Sequence, residues 1–109
     1  MEARRILSGV GVSAGVAEGA VRIVRGAEDA GEFKEGDVLV TRITDPTMVS
    51  MMSDAVAIVC DIGGMTSHPS IISRELGIPC VVNTKVGTST LTDGMRVRVD
   101  GAKGEVYAI

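Results

Sequence analysis

The sequence has few aromatic residues, cysteines and histidines, and each shortage removes a class of protein. Its 109 residues contain one phenylalanine (Phe33), one tyrosine (Tyr107) and no tryptophan, so side chains that stack on nucleic-acid bases are nearly absent. The two cysteines, Cys60 and Cys80, are too few for a disulfide framework. Because His68 is the single histidine, the four ligands of a structural zinc site are hard to assemble.

The charge balance and the apolar runs argue against two further classes. There are 14 acidic against 11 basic side chains, a formal net charge of -3 at pH 7, with no basic stripe to neutralise nucleic-acid phosphates. The longest apolar run, residues 55–60, is far too short to span a bilayer, and the N-terminal segment MEARRILSG lacks the apolar region of a secretory signal. We therefore expect a cytoplasmic protein whose partners include neither nucleic acid nor a membrane.

Turn signals and apolar runs predict one α/β domain over residues 1–109, with more strands than helices. Four glycines between residues 9 and 19 predict turns that precede a first strand at residues 20–24. β-branched or apolar runs predict the later strands, at residues 38–41, 55–60, 80–82, 95–99 and 105–109.

Two helices are predicted between these strands. Asp45 is a suitable N-cap and Pro46 a suitable first-turn residue, and Met48, Val49, Met51 and Met52 then fall on one helical face. A second helix opens at Pro69 and ends at Gly77, which suits a left-handed C-cap. The strand–helix–strand order over residues 55–82 predicts a parallel βαβ unit, and hence a central mixed sheet.

The residues best suited to chemistry lie in one loop, between the strand at 55–60 and the second helix. Gly63 and Gly64 permit a sharp turn and a close approach of backbone to a ligand. Thr66 and Ser67 offer hydroxyls that can cap the helix, or bond a phosphate or an imidazole. His68, with an unperturbed pKa of about 6.5, is a candidate nucleophile beside a helix N-terminus that attracts anions.

Purely structural roles are also open to these residues. The two glycines, Thr66 and Ser67 can form a turn and an N-cap without any chemistry, and a lone histidine is often a capping or surface residue. Asp45 is interpreted first as a cap, and Asp61 as a residue that ties the loop or touches a partner. Arg74 is interpreted first as part of a solvated face, although a side chain that points back to the loop can stabilise a phosphoryl group.

The sequence GGMTSH at residues 63–68, followed by RELGIPCVV from residue 74, strongly resembles the phosphohistidine swivelling domain of phosphoenolpyruvate (PEP)-utilising enzymes. That family includes pyruvate phosphate dikinase, PEP synthase and the first enzyme of the sugar phosphotransferase system. The similarity extends to residues 9–19, 36–40, 44–46 and 93–99, and so covers nearly the whole chain. It implies a β/β/α swivelling-domain sandwich with a central mixed sheet.

Two positions depart from the family pattern. Pro69 and Ser70 follow the histidine where small residues are common, and Pro69 suits a first helical turn. Asn83 stands where glycine is common, and asparagine tolerates a left-handed backbone. Neither departure removes a reactive group.

The resemblance also implies a function: His68 accepts a phosphoryl group, at Nε2, and carries it between two active sites. One is an ATP-grasp nucleotide-binding domain, and the other is a barrel that binds PEP or pyruvate with magnesium. Neither fits within 109 residues, so we expect both on separate chains, with Mg²⁺ only in the partner and no cofactor or metal on this chain. By resemblance, Thr66 and Ser67 orient the ring or solvate the phosphate, and Arg74 and Asp45 are accessory residues.

Three hypotheses follow. The first is a stand-alone phosphohistidine carrier, one component of a split phosphotransferase. The second is a non-catalytic module that keeps the swivelling fold and binds an anion or a protein. The intact motif disfavours it, because a scaffold needs the glycines and the cap but not the imidazole of His68. The third is a piece of a larger enzyme, chemically equivalent to the first.

Overall fold

The computed structural model describes residues 3–109, which form one eight-stranded mixed sheet and three short α-helices. The strands are β1 (Arg4–Ser8), β2 (Val10–Ser13), β3 (Val16–Ile23), β4 (Val38–Thr41), β5 (Ala57–Cys60), β6 (Cys80–Val82), β7 (Arg96–Asp100) and β8 (Glu105–Ala108). The helices are α1 (Val49–Asp54), α2 (His68–Leu76) and α3 (Gly87–Thr90), with 3-10 turns at Ala27–Glu32 and Pro46–Met48. Within the described residues, no helix has the length and apolar character to cross a bilayer.

The centre of the sheet is a set of four parallel strands, in the overall order β1-β8-β7-β3-β4-β5-β6-β2. Strands β3 to β6 are parallel neighbours, whereas β7, β8, β1 and β2 pair antiparallel. Ile58 of β5 pairs with Cys80 of β6, and Val59 with Val81. The predicted parallel βαβ unit is therefore confirmed.

The parallel strands are buried on both faces, because their alternate side chains enter two different cores. In β4, Val38 and Val40 join a core shared with the antiparallel strands, and Leu39 joins a core covered by helices α1 and α2. The first core contains Val97, Val99 and Val106; the second contains Met52 and is covered by Ile72. The layers are thus sheet, sheet and helix, which confirms the expected β/β/α sandwich with a central mixed sheet.

The two edges of the sheet come together at the N-terminal segment, because β1 and β2 lie at opposite ends of the strand order with only Gly9 between them. A Cβ on Gly11 would lie 2.2 Å from the Gly101 carbonyl oxygen, and one on Gly101 would lie 1.8 Å from that of Ser13. The expectation of turns throughout residues 9–19 is therefore wrong, whereas the strand predicted at residues 20–24 is confirmed as the second half of β3. Gly11 permits close packing of two backbones inside a strand, a need that sequence spacing does not reveal.

The predicted helix ends are confirmed, but one of the residues expected on the apolar face of the first helix is exposed. Asp45 caps the turn at Pro46–Met48, and Gly77 closes α2 with a φ of 74°. In α1, Met52 is buried and Met51 packs against the helix-side core, but Val49 is exposed. Its expected place on the buried face is therefore wrong, because α1 has only six residues and turns just one side to the sheet.

Candidate functional site

The loops that follow β4, β5 and β6 meet at the carboxyl edge of the parallel strands, where α/β folds bind ligands. Gly63 lies in the loop after β5, with a φ of 125° that favours glycine. A Cβ at Gly63 would lie 3.3 Å from the Cβ of Val82 in β6 and 3.4 Å from Cδ1 of Ile43, which follows β4. The three loops are therefore in direct contact around Gly63.

The imidazole of His68 is half-buried at the start of α2 and is held by a threonine from the neighbouring loop. Nδ1 of His68 lies 2.8 Å from Oγ1 of Thr44, whose side chain is buried. Nε2 makes no hydrogen bond with residues 3–109. When Nδ1–H donates to the Thr44 hydroxyl, the lone pair of the imidazole is on Nε2, free to react.

Sequence reasoning did not single out Thr44 as a site residue. It stands 24 positions before His68, and the signal was limited to its place in the Thr-Asp-Pro segment that resembles the family. The parallel pairing of β4 with β5 brings the two residues together.

The loop from Gly63 to Ser67 is closed by serine hydroxyls. The carbonyl of Gly64 accepts a hydrogen bond of 2.8 Å from the Ser67 hydroxyl and one of 2.6 Å from the Ser70 hydroxyl. The N–H of Gly64 donates to Oγ of Ser67 at 3.2 Å. A Cβ on Gly64 would meet no atom within 4 Å, so of the two glycines Gly63 alone is constrained by its backbone angle and its surroundings.

Thr66 and Ser67 make no hydrogen bond with the imidazole of His68 in the described part of the chain. Ser67 occupies the N-cap position of α2, but its hydroxyl bonds Gly64 in place of a capping N–H group. The Thr66 side chain is exposed and makes no hydrogen bond with the described part of the chain. Thr44 holds the ring because its strand lies beside β5, whereas Ser67 is drawn back into its own loop. Contact of Thr66 or Ser67 with a phosphate stays a prediction.

Among the backbone N–H groups that precede or begin α2, those of Thr66 and His68 have no hydrogen-bond partner among residues 3–109. They lie at the N-terminus of the nine-residue helix α2, and Pro69 brings no N–H of its own. Helix N-termini carry a positive partial charge and bind anions. The geometry therefore offers donors to a negative group next to His68.

Asp45 is confirmed as a cap. Its carboxylate accepts from the Thr47 hydroxyl and, at 2.8 Å, from the Thr47 N–H. These two hydrogen bonds hold the pKa of Asp45 below its usual value, and the nearby charge of His68 adds a smaller effect in the same direction. The carboxylate is therefore close enough to the imidazole to influence it, but its hydrogen bonds are to Thr47.

Asp61 and Arg74 are both engaged by the fold. The Asp61 carboxylate accepts from Thr88, at 2.8 Å from its N–H and 2.6 Å from its hydroxyl, and so ties β5 to α3. Arg74 donates to the carbonyls of Val12 and Met65, at 2.7 Å each. Arg74 is exposed, as the interpretation of a solvated face expected, and its long side chain also points back along α2 toward the loop, the alternative that the sequence left open.

A cavity of about 570 Å³ opens at the same edge, beside Asp45. It is lined by residues that follow β3, β4 and β5, such as Arg25 and Arg42, and by Met48 of the 3-10 turn and Met51 of α1. Asp45 and Asp61 also line it, so its charged groups are of both signs.

Cys60 of β5 and Cys80 of β6 are buried, free thiols with low reactivity. Burial raises the pKa of Cys80 to about 11 and raises that of Cys60 further. Both thiols therefore stay protonated, and unreactive, near neutral pH. Within residues 3–109, no three His, Cys, Asp or Glu side chains are grouped as metal ligands.

Comparison with known proteins places these residues in a family. The family model for the PEP-utilising enzyme, mobile domain, matches residues 33–104. The chain is 54% identical over 106 residues to the PEP synthase of Pyrococcus furiosus, covering 97% of this chain and 13% of that protein. It is 52% identical over 106 residues to a probable PEP synthase of Archaeoglobus fulgidus, with 97% and 14% covered. The chain thus spans about one seventh of the length of these relatives.

Solved structures agree on the fold. An Enzyme I protein studied in solution superposes with a TM-score of 0.60 and 36% identity, over 68% of this chain and 31% of that one. Aconitase X of Thermococcus kodakaraensis gives a TM-score of 0.72 at 23% identity, over 94% and 97% of the two chains. At this lower identity the similarity concerns the fold alone.

Proposed function

Because this chain belongs to the PEP-utilising enzyme mobile-domain family, we propose that it is a phosphoryl carrier in which Nε2 of His68 is the acceptor. The observation that carries the proposal is the 2.8 Å contact between Oγ1 of Thr44 and Nδ1 of His68. It fixes the ring through one nitrogen and leaves the other available. A cap or a surface histidine has no need of a buried hydroxyl at Nδ1.

The transfer step uses few groups of this chain. With the proton on Nδ1 and donated to Thr44, the lone pair on Nε2 attacks the phosphorus of the donor. The Nε2–P bond forms as the bond from phosphorus to the donor's leaving oxygen breaks, and that oxygen keeps the electron pair. No proton leaves Nε2, because none is there. In the second transfer an acceptor oxygen attacks phosphorus, and the electron pair of the N–P bond returns to Nε2.

The charge of the phosphoryl group is offset by the backbone. We assign this role to the N–H groups of Thr66 and His68, which have no partner among residues 3–109, and to the partial positive charge of the α2 N-terminus. We assign the exposed Thr66 hydroxyl an additional contact with these oxygens.

The partners follow from the resemblance and from the length of the relatives. The two PEP synthases are about seven times longer than this chain, which leaves room in them for catalytic domains. We propose an ATP-grasp domain, a PEP- or pyruvate-binding barrel, or both, as the sites that load and unload His68. In this proposal Mg²⁺ belongs to those sites, and the location is the cytoplasm.

A second function stays open, because a chain of aconitase X has the same fold at 23% identity. A module of this fold can therefore serve a protein of a different name, and a fold alone does not determine function. In this alternative the loop at residues 63–68 binds an anion or a partner protein and His68 is never phosphorylated.

The deciding experiment measures the intact mass of the chain after incubation with host lysate and either PEP or ATP, at neutral to alkaline pH. We expect a gain of one phosphoryl group that is lost on acid treatment, since the phosphorus–nitrogen bond is acid-labile. His68→Ala is the matched control, and because the chain has one histidine an acid-labile gain is assigned without mapping.

The two functions give different results. Equal labelling of His68→Ala and wild type would exclude His68 as the acceptor. No gain with either donor, in a lysate that supports related transfers, would favour the binding module.

A further inference from the structure

We propose that Arg74 is a positioning residue, which locks the loop before His68 onto strand β2 and thereby aims the Thr66 N–H at the phosphoryl group. The inference rests on the proposed function for its consequence, but its geometry stands independently. Nε of Arg74 donates to the Val12 carbonyl and Nη1 donates to the Met65 carbonyl, each at 2.7 Å. We call this pair of hydrogen bonds the Arg74 latch.

The β2 end of the latch is a carbonyl that the sheet leaves free. Strand β2 pairs with β6 through Gly11 with Val81 and Ser13 with Cys80, so the register shifts at Val12. A residue bulged out in this way loses its regular ladder partner. Arg74 supplies a hydrogen-bond donor from α2 in place of that partner. The bulge at Val12 and the arginine therefore act together to join α2 to β2.

The loop end of the latch sets the direction of a peptide group. In a trans peptide the carbonyl of one residue and the N–H of the next point in opposite directions. Because Arg74 holds the Met65 carbonyl, the N–H of Thr66 is directed away from the guanidinium. Ser67 and Ser70 hold the preceding carbonyl, that of Gly64, in the same loop. The carbonyls of Gly64 and Met65 are thus both held in place, and this fixes the direction of the Thr66 N–H.

The guanidinium is suited to this task by its shape as well as its charge. Its planar fork presents two donors in a fixed geometry, which the single ammonium of lysine does not reproduce. Arg74 forms no ion pair with a carboxylate of residues 3–109. Its described polar partners are the two carbonyls and, at 4.0 Å, the sulfur of Met65. This pattern is that of a brace between backbone segments.

The test compares Arg74→Lys, which keeps the charge, with Arg74→Met, which keeps most of the stem. The probe is phosphoramidate, a small donor whose own P–N bond breaks and releases ammonia as Nε2–P forms. It needs no partner protein. We expect both variants to be phosphorylated about tenfold more slowly than wild type, because a misplaced donor group costs on that order. Arg96→Lys and Arg96→Met, on an exposed arginine of β7, are the controls and should keep the wild-type rate.

A second arm distinguishes positioning from general destabilisation. In Arg74→Ala, added ethylguanidinium should restore part of the rate, whereas ethylammonium at the same concentration should not. Backbone ¹⁵N relaxation of Gly64 to Ser67 needs no phosphorylation, and the order of these amides should fall in both Arg74 variants and in neither Arg96 variant.

The outcomes separate the inference from the proposed function. A wild-type rate in Arg74→Lys with a slow Arg74→Met would mean that the charge acts directly on the phosphoryl group, and the latch would be rejected. Unchanged amide order in both Arg74 variants would also reject it. If wild type itself is never labelled, the carrier proposal fails while the relaxation data still decide whether the latch exists.

Discussion

The hydroxyl of Thr44 and Nδ1 of His68 lie 2.8 Å apart, although the two residues come from different loops of the parallel sheet. The hydroxyl is buried and the imidazole is half-buried, so this hydrogen bond is shielded on one side. Such a hydrogen bond holds the orientation of the ring through Nδ1.

Replacing Thr44 by valine should slow phosphorylation of His68 about five- to tenfold, the effect of losing roughly 1 kcal/mol of hydrogen bonding. Valine keeps the shape but not the hydroxyl, so Nδ1 loses its partner. The rate with phosphoramidate and the ¹⁵N shifts of the single histidine ring report on this directly. Thr44→Ser keeps the hydroxyl and should stay close to wild type. Equal rates for Thr44→Val and wild type would remove Thr44 from the mechanism.

Gly63→Ala should destabilise the protein by about 1–2 kcal/mol, because an L side chain is strained at a φ of 125°. Its Cβ would also lie 2.9 Å from the Ser67 hydroxyl that closes the loop. Gly64→Ala is the matched control and should change the free energy of unfolding by less than about 0.5 kcal/mol. Urea unfolding measures both. An equal loss of stability in Gly63→Ala and Gly64→Ala would contradict the finding that Gly63 alone is constrained by its backbone angle and its neighbours.

Gly101→Ala should cost more than about 3 kcal/mol or prevent folding, since its Cβ would overlap the Ser13 carbonyl oxygen at 1.8 Å. The contact is between two backbones, so no side chain can move to relieve it. Gly31→Ala, where a Cβ meets nothing within 4 Å, should fold normally. Circular dichroism and thermal unfolding of the two variants test whether the backbone at Gly101 packs against β2 as closely as described.

Stability should fall as pH rises from about 8.5 toward 11, in part because of the buried thiols. Desolvation raises the pKa of Cys80 to about 11, with Ser73 and Arg74 opposing the shift, while an unfolded thiol titrates near pH 8.5. Over this interval the unfolded chain loses a proton that the folded protein keeps, so unfolding becomes easier. Cys80→Ala should lose less stability than wild type between pH 8 and 10.5, measured by urea unfolding. If the free energy of unfolding of Cys80→Ala fell with pH as steeply as that of wild type, the assignment of this pH dependence to Cys80 would be contradicted.

The same burial predicts slow alkylation. Iodoacetamide at pH 8 should leave Cys60 and Cys80 unmodified in the folded protein and modify both in denaturant. Rapid modification without denaturant would mean that the core containing Cys60 and Cys80 unfolds locally and often.

Much of the fold could be predicted because its signals are local. The β-branched run at residues 38–41 favours a strand through its own side chains. Asp45, Pro46 and Gly77 mark helix ends through their own backbone and side-chain chemistry. Asn83 has a φ of 56°, as its place in a glycine position suggested. The loop containing His68 was equally visible, since its glycines, hydroxyls and imidazole are consecutive.

The errors came where distance along the chain hides a contact. Gly11 looked like a turn residue because glycine has the same local freedom in a turn and in a strand pressed against another backbone. The contact of Arg74 with β2 was not predicted, because the carbonyl that it binds is 62 positions away. Thr44 was not singled out because it stands 24 positions before His68, although the two side chains are neighbours in space.

The sequence by itself therefore determined the strands from β4 onward, the helix ends, the reactive loop and the family, because these depend on periodicity, capping and a contiguous motif. The tertiary structure decided which nitrogen of His68 is occupied, which residue occupies it, and what braces the loop. Those contacts depend on the order of strands in the sheet, which brings β4 beside β5 and β2 beside β6. Strand order follows from how all apolar faces are buried together, and no local segment encodes it.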